Sequence, residues 1–590
     1  MTATSINDVS ITSDPDFGDD AGLDDFDGDD GFDYFDAQSQ ANVEVGKVDR
    51  APAPPATQTP PPATQTPQEP TDPTAPRHVT SGADVQALYA WATKQRRIAL
   101  ALAPDHHLAF GAADGTSWEL DSNEVGLMSS ALTAVVRSDT YLWAYDATAL
   151  HRTLAEDVGF VVDGIRCAQT AWMTLHPVVG ETRATLQPPG DSNEATGMAV
   201  AVAQLVESIH TEATPAMRQH ILVDVKTDEM WRMPGLHGYA VDEVALEHEA
   251  QLVAAAQQRS VDRFGVDLTS DRLALAWMAE HGVTCTDAGE PTLSYKKLPD
   301  AEVPPGMAEE WAQFVALRDV SWLRNAVVGI QRKLRDGRAY PRINAVGAVT
   351  GRMSITGPAM QATPAEFRHI FHADPGSTLV ACDFDRVEPC LVAAASADPG
   401  LLAGATSDIY VELAVSVWGE SARGDAVRRA QAKTALNAIT YGQGAASLAR
   451  RLGLPLEDAQ SIISGWTETY PQFHKWMKKV TAAAKNGDPL TTLTGRDLPT
   501  PAHPYQAVSY IIQGTAADIF KTAVLRVAAQ LPPQFHLWLP IHDELVLTVP
   551  DDPASVEQAI EILAAEMETQ INGVRITGTP VHLSSVWRKS

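Results

Sequence analysis

The sequence predicts a multidomain α/β protein with an unstructured acidic leader. Three observations carry that reading. The chain has 590 residues, room for several domains of roughly 100 to 200 residues each. Its 44% apolar content is that of a chain that can bury cores. Strand-like apolar runs near 98–112 and 141–145 give way to long helical periodicities after 226, and strands and helices mix again after 345.

The amino-terminal part sets itself apart by composition. Twelve aspartates lie within residues 1–36 without one Lys or Arg, interleaved with Phe17, Phe26, Phe32, Tyr34 and Phe35. Like-charge repulsion and scarce aliphatic residues predict a disordered tail over 1–50. Such a tail either solubilises the chain or docks its aromatics on a basic partner, with aspartates steering the encounter. Residues 51–76 hold ten prolines, including PPATQTP at 54–60 and again at 61–67. That composition predicts a semi-rigid, extended spacer over 51–80.

Ordered structure is expected from Ser81. Ile98–Ala103 and His107–Ala112 read as neighbouring strands, Tyr141–Tyr145 as another, and Met198–Ile209 as a helix. Together they predict a mixed α/β domain over 81–225. Val241–Phe264, Ser270–His281 and Met307–Leu334 have helical periodicity.

Several function classes are made unattractive by composition. No run of about 18 apolar residues spans a membrane, and no basic n-region precedes an apolar stretch at the start, as a secretory signal requires. Cys167, Cys285, Cys382 and Cys390 lack zinc-ligand spacing and read as reduced thiols, which predicts a cytoplasmic setting. A net charge of −31 argues against a nucleic-acid partner at first sight. Basic residues nevertheless cluster in Arg318–Arg342, Arg423–Arg451 and Lys475–Lys485, and a local field can steer a phosphate backbone into a cleft.

Three blocks carry chemistry. In Leu379-Val-Ala-Cys-Asp383-Phe-Asp-Arg-Val-Glu388 an apolar strand delivers Asp383 at its end; acids at strand ends are common, so this block alone is weak. In Pro540-Ile-His542-Asp543-Glu544-Leu-Val-Leu-Thr-Val-Pro550 apolar runs flank a charged tripeptide, as in a hairpin with carboxylates at its tip. Partly buried charges are costly unless ligands compensate. The third block runs from Arg428 to Gly442. Arg429, Lys433, Asn437 and Tyr441 are four apart and share one helix face, suited to a triphosphate at the cationic end and a base or sugar at the tyrosine end.

In order and content these blocks resemble motifs A, B and C of family A DNA polymerases, the class of bacterial polymerase I and its phage relatives. Thr350-Gly351-Arg352-Met-Ser354 with Pro358-Ala-Met-Gln361 is similar to the family's TGR segment, and Gln513-Gly-Thr-Ala-Ala-Asp518 to the helix before motif C. Asp267-Leu-Thr-Ser270 with Gly282-Val is similar to the start of its thumb. The resemblance covers roughly 226–590 and implies a right-hand polymerase, with a thumb at 226–345, palm at 346–425 and 500–590, and fingers at 426–499. It implies two Mg²⁺ ions, with Mn²⁺ as a substitute, on Asp383 and Asp543. Arg429 and Lys433 would hold the dNTP triphosphate, and Lys433 would protonate pyrophosphate. Glu388 and Tyr441 would exclude a 2′-hydroxyl, with Asn437 also in the nucleotide site. Arg352, Gln361, Gln513, His542 and Glu544 would contact the primer–template DNA. Asn437 stands where the family carries Phe or Tyr, Asp385-Arg386 and Pro389-Cys390 depart from motif A, and Ala359, Tyr505 and Ser509 from the neighbouring segments.

In this family a proofreading 3′–5′ exonuclease domain often precedes the thumb. Its first strand needs an Asp-x-Glu for two metals, whereas Ile98–Ala103 has no carboxylate. Tyr141–Asp146 keeps one aspartate. The expectation is a degenerate, inactive exonuclease-like α/β domain, with Asp146 a surface or capping residue. The alanine-rich sequence and small size look like a phage replicative enzyme in a host bacterial cytoplasm. The tail would bind a replication protein. Two rivals are a single-subunit RNA polymerase, disfavoured by Glu388 and the His-Asp-Glu tip, and a non-catalytic replication scaffold, which needs none of Asp383, Lys433 and Asp543.

Overall fold

The computed structural model describes residues 75–178, 186–190, 194–287, 290–293, 298, 301–363 and 365–588. The expected tail over 1–50 and the spacer up to residue 74 lie outside the described residues. No helix among the described residues is long and apolar enough to cross a membrane.

Six strands make the amino-terminal sheet: β1 (Arg77–His78), β2 (Arg97–Leu102), β3 (His107–Gly111), β4 (Ser117–Asp121), β5 (Tyr141–Ala144) and β6 (Ile165–Cys167), in the order β1-β4-β3-β2-β5-β6. β2 pairs antiparallel with β3 and parallel with β5. The alanine–leucine alternation of β2 explains its two buried faces. Leu100 joins the core under Leu88 and Met128, while Ala99 and Ala101 face α1 (Ala195–Glu212). Small residues let α1 lie close on the sheet. A Cβ added at Gly111 would sit 2.5 Å from the Val200 backbone nitrogen.

α2 (Pro215–Met230), capped by Thr214, follows α1 and runs unbroken through the line expected at 225/226. It packs on both the amino-terminal unit and the carboxy-terminal half, so its buried face includes Asp224 and Asp228. Next come α3 (Glu243–Phe264), whose Asp242 cap accepts from Val244 and Ala245, and α4 (Asp271–Glu280). α5 (Ala308–Gln331) follows. A separate small core of Leu268, Trp277, Met278 and Phe314 ties α4 to α5.

The carboxy-terminal half is built on a five-stranded antiparallel sheet: β7 (Ser377–Phe384), β8 (His536–Ile541), β9 (Glu544–Pro550), β10 (Glu568–Ile571) and β11 (Val574–Ser584), ordered β8-β9-β7-β11-β10. β7 is central, and Leu379 to Cys382 are fully buried. Continuous apolar character in a central strand follows from cover on both faces. On this frame stand α6 (Val387–Ser396), α7 (Ile409–Trp418), α8 (Ala426–Thr440) and α9 (Gln506–Gln530). α9 is buried along most of its length, which forces any charge on it to find a partner.

Candidate active site

The sheet register brings the two acidic blocks together. Asp383, one residue before the end of β7, pairs directly across from Glu544, the first residue of β9. The Phe384 N–H donates to the Asp543 carbonyl at 3.3 Å. His542 and Asp543 form the two-residue connection between β8 and β9, with His542 in the left-handed region at φ 55°. Like charges directly opposite on a ladder are unfavourable, and the electrostatics register it. Burial of its surroundings, then Asp543, Glu544 and Asp385, push the Asp383 carboxyl up to about 7, with Lys433 pulling the other way. Its side chain itself is open to the cleft, so the raised value reflects the surrounding protein and the neighbouring acids. Burial, with Glu388 nearby, also raises Asp543. Glu544 is buried, with Arg368 3.7 Å away. Asp385 turns aside, accepting from Thr579 at 2.8 and 2.9 Å.

Such a set of acids fits a hard divalent cation. Among the described residues no three His, Cys, Asp or Glu side chains converge as a closed cage. A donor set of two carboxylates still suits Mg²⁺, which keeps waters and takes substrate phosphates as remaining ligands.

The basic stripe stands beside these acids. Asp425 caps α8, accepting from Val427 and Arg428. Arg429 and Lys433 lie over the Tyr410 ring, at 5.3 and 5.7 Å from its centroid. Arg429 Nε also donates to Asp408 Oδ2 at 2.8 Å. Lys433 is exposed, whereas Asn437 is half-buried. Tyr441 caps the carboxy-terminal end of α8, and its hydroxyl donates to Glu388. Glu388 also takes the Arg352 guanidinium, and Gln513 stands half-buried on α9 near the Tyr441 hydroxyl. Residues from three sequence blocks thus meet at one carboxylate. Gln361 is spent locally, donating to the Met353 carbonyl and accepting from the Ile355 N–H, both at 3.2 Å.

One assembly escaped the sequence reading. Beneath Gly351, whose added Cβ would meet the Arg496 guanidinium at 3.2 Å, Arg496 donates to Asp224 at 2.7 and 3.1 Å and to Asp518 at 2.6 Å. Lys521 also pairs with Asp224, and Thr174 donates to Asp224 at 2.8 Å. The signal was available: Asp518 and Lys521 lie three apart on a helix otherwise apolar along this stretch, and buried charges require partners. Their partner on α2 was not legible. Asp146 both caps a short helix, accepting from Ala149 at 3.1 Å, and pairs with Arg342 at 2.6 Å.

Comparison with known proteins agrees with this geometry. Residues 307–585 match the family model described as DNA polymerase family A. A DNA polymerase of Mycobacterium phage D29 is 31% identical over 241 residues, 39% of this chain and 39% of that protein. DNA polymerase I of Aquifex aeolicus is 27% identical over 372 residues, 60% of this chain and 63% of its own length. The chain therefore spans less than two thirds of these curated relatives. Among solved structures, the POL domain of Pol1 from M. smegmatis, in complex with DNA primer-template and dNTP, superposes with a TM-score of 0.72 at 20% identity. That match covers 87% of this chain and 99% of that one. The match to the family A model thus falls on residues 307–585, the segment that holds Asp383, Lys433 and Asp543.

Proposed function

We propose that the chain is a DNA-templated DNA polymerase that extends a primer 3′-end with dNTPs. The observation that carries this reading is the register of Asp383 against the Asp543–Glu544 tip, with the Lys433 stripe close enough to act on Asp383. Two Mg²⁺ ions on Asp383 and Asp543, or Mn²⁺ in their place, would activate the primer hydroxyl and neutralise charge on the departing pyrophosphate. Arg429 and Lys433 position the triphosphate and offset its charge, and Lys433 hands a proton to pyrophosphate. The Glu388–Tyr441 pair forms the floor beneath the sugar and rejects a 2′-hydroxyl, with Asn437 flanking it. Arg352, Gln513, His542 and Glu544 line the primer–template side. Gln361 acts there through the loop it closes.

In this reading residues 226–345 are the thumb, 346–425 and 500–590 the palm, and 426–499 the fingers, with α2 shared between the thumb and the unit before it. Residues 81–225 are an exonuclease-like domain without nuclease chemistry. Two features support that: β2 carries no carboxylate, and Asp146 is committed to a cap and to Arg342. The acidic leader serves a replication partner, and the whole works in a cytoplasm.

The test is primer extension with Mg²⁺ and dNTPs, comparing the wild type with Asp543→Ala. Template-directed extension is expected, abolished by the substitution and by EDTA. A folded wild type that binds DNA without extending it would point to the scaffold alternative, or to a partner that the acidic leader recruits.

A further inference from the structure

The two cations of the α8 stripe are not equally free. Both lie on the face of Tyr410, which is 5% exposed and therefore a fixed platform. Lys433 is exposed. Arg429 is instead held by Asp408 at 2.8 Å. The Asp408 carboxylate is itself fixed: Oδ1 caps α7 by accepting the N–H groups of Tyr410 at 3.0 Å and Val411 at 3.3 Å, leaving Oδ2 for the guanidinium. One acid thus anchors the helix that carries the aromatic platform and occupies the cation above it.

Resting on the polymerase reading, we propose that Asp408 is an ionic latch on the triphosphate site: a positioning residue that holds Arg429 in the nucleotide-free enzyme and must yield it to the incoming triphosphate. A polyphosphate carries more negative charge than one carboxylate and offers bidentate acceptors, so it can win the exchange. A weakly charged ligand cannot. The latch therefore weakens nucleotide binding while keeping the guanidinium on the Tyr410 face, ready for exchange.

Asp408→Asn separates the two duties of the side chain. Asparagine caps a helix about as well as aspartate, so α7 and the melting temperature should be unchanged. Its amide donates where Oδ2 accepted, and Arg429 is released. The exposed ion pair so removed predicts a KM for dNTP about two- to fivefold lower, equivalent to ~0.4–1 kcal/mol. The inhibition constant for pyrophosphate should fall by a similar factor, with kcat unchanged. The difference from wild type should shrink at high salt and vanish on an Arg429→Ala background. Calorimetric binding of inorganic tripolyphosphate to the full chain gives a readout independent of polymerisation, and Asp408→Asn should tighten it by the same factor. If the wild type extends primers but neither KM nor tripolyphosphate affinity changes in a variant of unaltered melting temperature, the latch is refuted and the polymerase stands. If no extension occurs while the substitution still tightens tripolyphosphate, the polymerase reading fails and the latch survives.

Discussion

Asp224→Ala is expected to be the most damaging single substitution outside the proposed active site. Asp224 is completely buried on α2. It accepts two bonds from Arg496, one from Thr174 and one from Lys521. After its removal Arg496 keeps Asp518, but Lys521 retains only the Ala345 carbonyl at 3.4 Å. Burial already holds the Lys521 ammonium below its ordinary value, so without Asp224 it would be driven to shed its proton. Breaking a buried ion pair from one side costs about 3–5 kcal/mol. For a cooperative unit of about 150–250 residues, that is a fall in Tm of roughly 6–20 °C. Thr174→Val, which removes one hydrogen bond to a charged group, should cost about 1.5–3 kcal/mol. Urea titrations followed by circular dichroism would measure both. A loss below about 1 kcal/mol for Asp224→Ala, with an unchanged m-value, would refute the reasoning, because the network would then be worth no more than an exposed pair. The same network sets an acid limit. Burial alone would raise the Asp224 and Asp518 carboxyls, but the Arg496 guanidinium overrides it and holds both below their ordinary value of 3.8. A depressed folded-state value means the contribution is present above that pH and is lost as pH falls below it.

Two further outcomes follow from the polymerase reading. Glu388→Ala removes the carboxylate that receives both Tyr441 and Arg352. It should raise incorporation of NTPs relative to dNTPs by on the order of 10- to 100-fold, about 1–3 kcal/mol of lost discrimination, and unchanged selectivity in single-nucleotide extension would remove Glu388 from that role. Deleting residues 1–74, with sixteen Asp and Glu against two Lys and Arg, should change partner capture or the salt dependence of primer–template binding. A truncated chain indistinguishable in both would leave the leader a solubilising segment.

The sequence by itself determined a great deal here, because period and chemistry are local. The alternation of Ile98–Ala103, the apolar run ending at Asp383 and the four-residue spacing from Arg429 to Tyr441 each define an element and the face its side chains share. Those same spacings delivered the candidate acids and cations. Local spacing carries no relation that depends on which elements touch; for Asp383 with Asp543 and for Glu388 with Tyr441 only the family resemblance implied one. Nothing local to Asp383 says that it stands opposite Glu544; strand register in the five-stranded sheet decides that. Nothing near Arg352 or Tyr441 shows that both end on Glu388. Gln361 reads as a DNA contact, yet its amide is used by its own loop. The Asp224–Arg496–Asp518–Lys521 cluster is the clearest case. Its members are 224, 496, 518 and 521 in the chain, and burial, which only the assembled fold creates, turns ordinary charges into a network that each must complete for the others.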